Sequence, residues 1–197
     1  MNFTELMTEV YTVTKRPDLS AETALAVKSA TLKLHQSDFY FKDLFETGIS
    51  FTESSFIQTL DIKTVIPRFR ALKYLRRYDN SGSGAPAEFF KVLSPLETVD
   101  EYGYNREGIA YMAGSSLNIR SAVSFQYALL GVYLNPSIVE SNFVSWIADD
   151  HPYAIVFEAL RLLFKQIGYD EQAAAFERLA GEQLAEVKMA GIQAEGY

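Results

Sequence analysis

Apolar positions recur every three or four residues near both ends of the chain and give way to shorter, alternating runs in the middle. The most strongly specified stretch is Asp149 to Gly168, DDHPYAIVFEALRLLFKQIG. Its composition predicts a helix with Asp149 and Asp150 as caps, Pro152 in the first turn and Gly168 closing it in the left-handed conformation. Polar groups within it are confined to a narrow stripe of Glu158, Arg161 and Lys165 with Gln166 beside them. A helix so largely apolar must be covered on several sides, by its own domain or by neighbouring subunits.

The same period governs the N-terminal third. Phe3, Leu6, Met7, Val10 and Val13 form a short amphipathic helix that Arg16-Pro17 ends. A second helix starts at Asp18 or Ser20, with Ala24, Val27, Thr31 and Leu34 on one face and Leu25 and Leu32 widening it. After the long helix, Asp170 is placed to cap another, with Phe176, Leu179, Ala180, Leu184 and Val187 at helical spacing. Joined by Gly168-Tyr169-Asp170, these two helices are expected to fold back as an antiparallel hairpin.

Between these helical ends the residues turn aromatic and β-branched, as strands prefer. Strands are expected in SDFYFKDLFETGISF, FIQTLDIKTVI, PRFRALKYLRRYD and AEFFKVLS, and then in IAYMAG, SLNIR and VSFQYALLGVYL. Simple alternation would put Arg68, Arg70, Leu72, Tyr74, Arg76 and Tyr78 on one face, and Phe69, Ala71, Lys73, Leu75 and Arg77 on the other. The glycine-rich segments 80–86 and 98–108 read as exposed loops. The whole predicts an α+β fold: N-terminal helices in 1–44, an antiparallel β region inserted over 45–137, and a helical hairpin with a tail in 138–197. The two helical segments are expected to pack together as one layer.

Composition narrows the function. A content of 48% hydrophobic and 14% aromatic residues supports a packed core. No run approaches the length of a membrane span, and the acidic start MNFTELMTEV does not resemble a signal peptide, so a soluble protein made in the cytoplasm and free of membrane is expected. Without cysteine there is neither disulfide nor thiolate chemistry. A net charge of −7 disfavours a dedicated duplex-DNA binder while leaving weak contact open.

No catalytic constellation stands out. The two histidines, His35 and His151, each fall at a helix end, where capping or surface roles account for them, and they form no metal pattern. SGSGAP lacks the GK[ST] ending of a phosphate loop, and no GxSxG elbow is present. Asp149-Asp150 is explained by helix capping. No cofactor, metal or enzymatic activity is therefore expected. The strand bearing Arg68, Arg70, Lys73, Arg76 and Arg77 among aromatics has the make-up of a nucleic-acid surface; the alternative is an edge strand guarded by charge or paired with a partner's acids. The tail VKMAGIQAEGY is broken by Gly191 and Gly196 but keeps Met189, Ile192 and Tyr197 apolar, which suits either a frayed end or a segment that docks in a partner's groove.

Several phrases carry a family likeness over nearly the whole chain: RPDLSAETALAVKSATLKLHQSDFYFKDL, PRFRALKYLRRYD, SLNIRSAVSFQYALLGVYLNP and the closing helical pair. In these the sequence resembles the head-to-tail adaptor proteins of tailed bacteriophages, of the tail tubular protein A type. The resemblance implies a structural virion protein of the neck. Such a protein forms a ring, usually of twelve copies, that binds the portal, extends the DNA channel and offers a platform for a downstream tail or nozzle protein. In that setting Met189, Ile192 and Tyr197 are candidates for the portal contact. Arg68, Arg70, Arg76 and Arg77 are candidates for a subunit or channel interface, with weak non-specific contact to passing DNA. The competing expectation is a cytoplasmic DNA-binding or regulatory module that uses the basic strand at 68–77.

Overall fold

The computed structural model describes residues 1–77, 88–94 and 107–194. The chain is a mixed α+β protein that divides into two compact units. One joins Met1–Asp43 with Asn135–Tyr197, and the other is Leu44–Leu134.

The first unit is helical. α1 (Phe3–Thr14) begins with a capping box: Asn2 Oδ1 accepts from the Glu5 amide and the Glu5 carboxylate accepts from the Asn2 amide, both at 2.9 Å. It ends at Lys15, which takes the left-handed conformation (φ 54°) and donates its amide to the Tyr11 carbonyl. α2 (Ser20–Gln36) buries Thr23, Ala26, Val27, Ala30, Thr31, Leu34 and His35. These are mostly small residues, which let another helix approach closely. Val27, Thr31 and Leu34 of the expected face are buried, but Ala26, Ala30 and His35 widen it in place of Leu25, which is 60% exposed. A 3₁₀ turn at Phe41–Asp43 closes the segment.

After the β unit come a 3₁₀ turn (Glu140–Asn142), the short helix α4 (Trp146–Asp150) and α5 (Pro152–Gln166). The expected caps of the long helix are overturned here. Asp149 and Asp150 belong to α4, whose cap is Ser145; α5 starts at Pro152 after His151 with no side-chain cap. Proline at the first position makes this tolerable, because one otherwise unsatisfied amide is absent. Asp150 instead meets Lys42 at 2.6 Å. Gly168 does close α5 with positive φ (82°), and the Tyr169 amide reaches back to the Phe164 carbonyl.

α6 (Asp170–Ala194) then runs for 25 residues, through Gly181 and Gly191. The expectation that Gly191 breaks the tail therefore fails, since the helix continues to Ala194, and Gly196 lies outside the described residues. Gly191 is there for packing: an added Cβ would stand 2.6 Å from Cδ1 of Tyr40. α2 packs on α5 and α5 on α6. Leu6, Val27, Ile155, Leu160, Leu163 and Val187 lie at the centre of the core, each without exposure. Burial of each large aliphatic side chain contributes about 1.5–3 kcal/mol.

The second unit is built on two long strands. β1 (Leu44–Asp61) and β5 (Ser116–Leu134) pair antiparallel from end to end. The segments expected as separate strands, SLNIR and VSFQYALLGVYL, are one continuous β5. On its other edge β5 pairs first with β4 (Ile109–Ala113), across the Gly114 turn, and then with β2 (Phe69–Arg77). β3 (Phe89–Leu93) pairs antiparallel with β2 and parallel with β4, so β5, β2, β3 and β4 form a closed arrangement. Two expectations are corrected at this point. The β region is not wholly antiparallel, and β2 is not an edge strand, since closure places it between β5 and β3. Among the described residues β1 pairs with β5 alone. A short helix α3 (Ile62–Val65), capped by Asp61, separates β1 from β2.

The ladder between β1 and β5 breaks in its middle. Residues 51–54 stand opposite Gln126, and then residues 121–124 stand opposite Phe56, so each strand bulges once and the register is restored. Gln58 Nε2 donates to the carbonyls of Glu53 (2.7 Å) and Phe125 (2.9 Å), and Gln126 Nε2 to that of Phe51 (3.1 Å). These amides replace lost ladder bonds. The bulge also moves the inner face of β1 from odd positions (Ile49, Phe51) to even ones (Gln58, Leu60).

Candidate functional site

On β2 the basic side chains are already engaged. β-bulges at Phe69/Ala71 and Leu72/Tyr74 offset the expected alternation. Leu75 is fully buried, while Tyr74 and Arg76 lie partly exposed. Tyr74 and Glu46 both pair with Gly131 of β5, from opposite sides. The missing side chain lets the Tyr74 ring cross that strand: a Cβ on Gly131 would come within 2.3 Å of it. The phenol then donates to Glu46, two strands away. That hydrogen bond, with partial burial and the carboxylate's charge, pushes the Tyr74 phenol above its ordinary range, and Arg76 opposes it.

Arg76 stands 3.7 Å from Glu46 and lies over the exposed ring of Phe89; Arg77 stands 3.7 Å from Glu88. Arg70 is half-buried and Arg68 is exposed in the turn before β2. Of the four arginines, the structure thus gives two to intra-unit acids and leaves Arg68 open to solvent. Of the tail candidates, Met189 is 61% exposed on α6. Ile192 lies within α6, and Tyr197 lies outside the described residues, as do 80–86 and 98–106 of the expected loops.

In the helical unit two polar clusters were missed or misread from sequence. Glu158, expected on a polar stripe, is only 3% exposed. It accepts from Lys33 Nζ at 2.7 Å and from Arg161 Nη2 at 2.7 Å and Nε at 3.0 Å. Burial pushes its carboxyl up, but the hydrogen bonds and charges of Arg161 and Lys33 outweigh that and hold it below the ordinary range. A cleft of about 180 Å³ opens beside it, with Leu34, Ala180, Gly181 and Leu184 among its walls.

The second cluster holds His35, which is 1% exposed and so is not the surface or capping residue expected. Its Nδ1 lies 2.8 Å from Asp43 Oδ1 and its Nε2 lies 2.9 Å from Ser145 Oγ. Trp146 Nε1 donates to the same Asp43 oxygen at 2.8 Å. A serine, a histidine and an aspartate are thus in the order of a hydrolytic triad. Ser145 is only 4% exposed, however, and its oxygen accepts from the Ala148 amide as the cap of α4. A substrate carbonyl has no approach to it, so the cluster ties together α2, the turn at Phe41–Asp43 and α4. The sequence signal was weak, because the partners stand 8 and 110 residues from His35.

Among the described residues no group of three or more His, Asp or Glu side chains could hold a metal ion, and no helix is long and apolar enough to cross a membrane. The chain matches no family model, and no curated protein matches it.

Proposed function

We propose that the chain is the structural subunit of a head-to-tail adaptor ring in a tailed bacteriophage. It attaches below the portal as a dodecamer, extends the DNA channel and carries the next tail or nozzle protein. Its place is the neck of the virion, and it performs no catalysis. The observation that carries this reading is the run of adaptor-like phrases from RPDLSAETALAVKSATLKLHQSDFYFKDL to the closing helical pair.

The surface supports it. Among the described residues, large apolar side chains stand exposed on both units, including Leu25 (60%), Phe41, Tyr153 and Met189 (61%) in one and Phe45, Phe56, Ile57 and Phe89 (63%) in the other. Such residues gain from contact with other subunits. In this reading the N-terminal helices and the α5–α6 hairpin form one layer in the ring. Met189 belongs to the portal contact, and Arg68 touches passing DNA weakly and without sequence preference.

Co-sedimentation with isolated portal rings tests the reading. The parent chain is expected to pellet with portal, and Met189→Glu to lose much of that binding with unchanged circular dichroism and melting. A chain that stays monomeric beside portal and binds one defined duplex tightly, with a steep salt dependence, would overturn the proposal in favour of a DNA-binding regulator.

A further inference from the structure

Gly131 and Gly191 have an internal reason for lacking a side chain, because a Cβ on either would strike a tyrosine ring. Gly181 has none. It lies in the interior of α6, where glycine is a poorer helix former than alanine, and an added Cβ would meet nothing within 4 Å. It lines the cleft of about 180 Å³ beside Glu158, together with Leu34, Ala180 and Leu184. The missing side chain keeps that cleft open. A cavity of about 150 Å³ takes up a benzene-sized molecule, so this one has room for a single aliphatic side chain.

The chain itself carries a side chain that fits. Leu25 is aliphatic, stands on α2 and is 60% exposed. Its neighbours one turn before and one turn after are Glu22 and Lys28, so the stripe reads acid, leucine, base. Glu22 makes no ion pair among the described residues, and Lys28 meets only the exposed Glu140, at 2.9 Å. The cleft carries the complement: Lys33, 55% exposed, on its α2 wall and the exposed Glu177 on its α6 wall. A leucine entering there would bring both charges of its stripe to opposite charges at the rim.

We propose that the cleft between α2, α5 and α6 is the socket for Leu25 of a neighbouring copy, and that this head-to-tail contact joins the subunits of the ring. The choice of occupant rests on the ring reading. Met189, 61% exposed, lies on α6 itself, about 12 Å along the helix from Gly181. A knob and a socket on one helix are satisfied by a two-fold pairing, which stops at a dimer. Leu25 instead lies about 180° around α2 from Leu34, the apolar α2 residue of the cleft wall. Knob and socket therefore face away from each other, and the contact repeats from copy to copy, as a ring requires.

The chain has no cysteine, so introduced thiols report the contact alone. Copies carrying only Ala21→Cys, on the Leu25 side of α2, are mixed with copies carrying only Glu182→Cys, beside Gly181; both positions are exposed. A short bismaleimide is added with and without isolated portal rings. A linked pair is expected from the mixture and from neither variant alone. Leu25→Lys, or Gly181→Leu, which fills the cleft from its own helix, should cut that product about tenfold or more, the loss of one buried aliphatic anchor. Leu25→Lys changes an exposed position and should leave circular dichroism and melting as in the parent. A pair formed by Glu182→Cys copies alone would mark a two-fold contact through α6 and overturn the proposal. An undiminished product in Leu25→Lys, or no product in either condition, would overturn it as well. A ring on the portal without the linked pair removes the socket and leaves the adaptor reading standing, whereas the linked pair in copies that never bind portal supports the socket and removes the adaptor reading.

Discussion

The helical and β units reach stability by different means. The helical unit contains 16 acidic against 9 basic residues and so carries the whole net charge of −7, whereas the β unit contains 9 of each. Among the described residues the helical unit buries Thr23, Thr31, His35, Asp43, Ser137, Ser145 and Glu158, while the β unit buries Gln58 and Ser121. Two of these buried polar groups are matched over long sequence separations, Glu158 with Lys33 and His35 with Ser145. In the β unit the centre is aromatic and aliphatic, with Phe51 and Phe90 both packed on Phe125, and among the described residues the ion pairs Arg76–Glu46 and Arg77–Glu88 are partly exposed. One unit is therefore specified by buried polar clusters that join distant elements, the other by strand closure around an apolar centre.

Variants sharpen that contrast. Leu160→Asp should be the most damaging, because an unpaired carboxylate at a site with no exposure costs about 4 kcal/mol or more. Trp146, the only tryptophan, lies in the helical unit, so its emission during urea unfolding checks this directly. Leu130→Ala in the β unit should cost about 2–5 kcal/mol by leaving a cavity. Equal tolerance of both changes would erase the contrast.

Glu158→Gln should cost about 1.5–3 kcal/mol through its charge-assisted bonds, and its pH dependence has a definite sign. The folded carboxyl is held below its ordinary value. Its contribution is therefore whole above the unfolded value of about 4.3 and fades as pH falls through that value toward the lower folded one. The variant should show a flatter acid limb in melting temperature against pH, and an unchanged limb would contradict the assignment.

The remaining two concern glycines. Gly131→Ala should cost about 1–3 kcal/mol by overpacking against Tyr74, and most of that loss should vanish in a Tyr74→Ala background, as a double-mutant cycle in urea would show. Gly181→Ala should instead stabilise by up to about 1 kcal/mol, since a Cβ there meets nothing within 4 Å and alanine favours a helix. A rise in melting temperature checks it.

Legibility followed the period of the sequence. Where apolar residues recur at helical spacing, as in Phe3, Leu6 and Val10, the element and its buried face could be read. Leu25 and Glu158 were misplaced because the helical faces depend on which neighbour comes close, and that is not a local property. Borders of the β region were expected at 45 and 137, and the compact β unit spans Leu44–Leu134. The parallel pairing of β3 with β4 was hidden, because strand order leaves no local trace. The register of β1 was hidden as well, since alternation alone gives no sign of the paired bulges that Gln58 and Gln126 stabilise. Asp149 and Asp150 look like caps in sequence, but a histidine intervenes and Ser145 starts a separate short helix before them. The His35 cluster was invisible for the reason of separation: no spacing rule links residues 35, 43 and 145.

The adaptor assignment is tested most directly by single-particle cryo-electron microscopy of the full chain mixed with portal rings. The account predicts a closed ring of this chain coaxial with the portal, lying below it and continuing its channel. Portal particles without added density, beside a chain that remains monomeric, would contradict it.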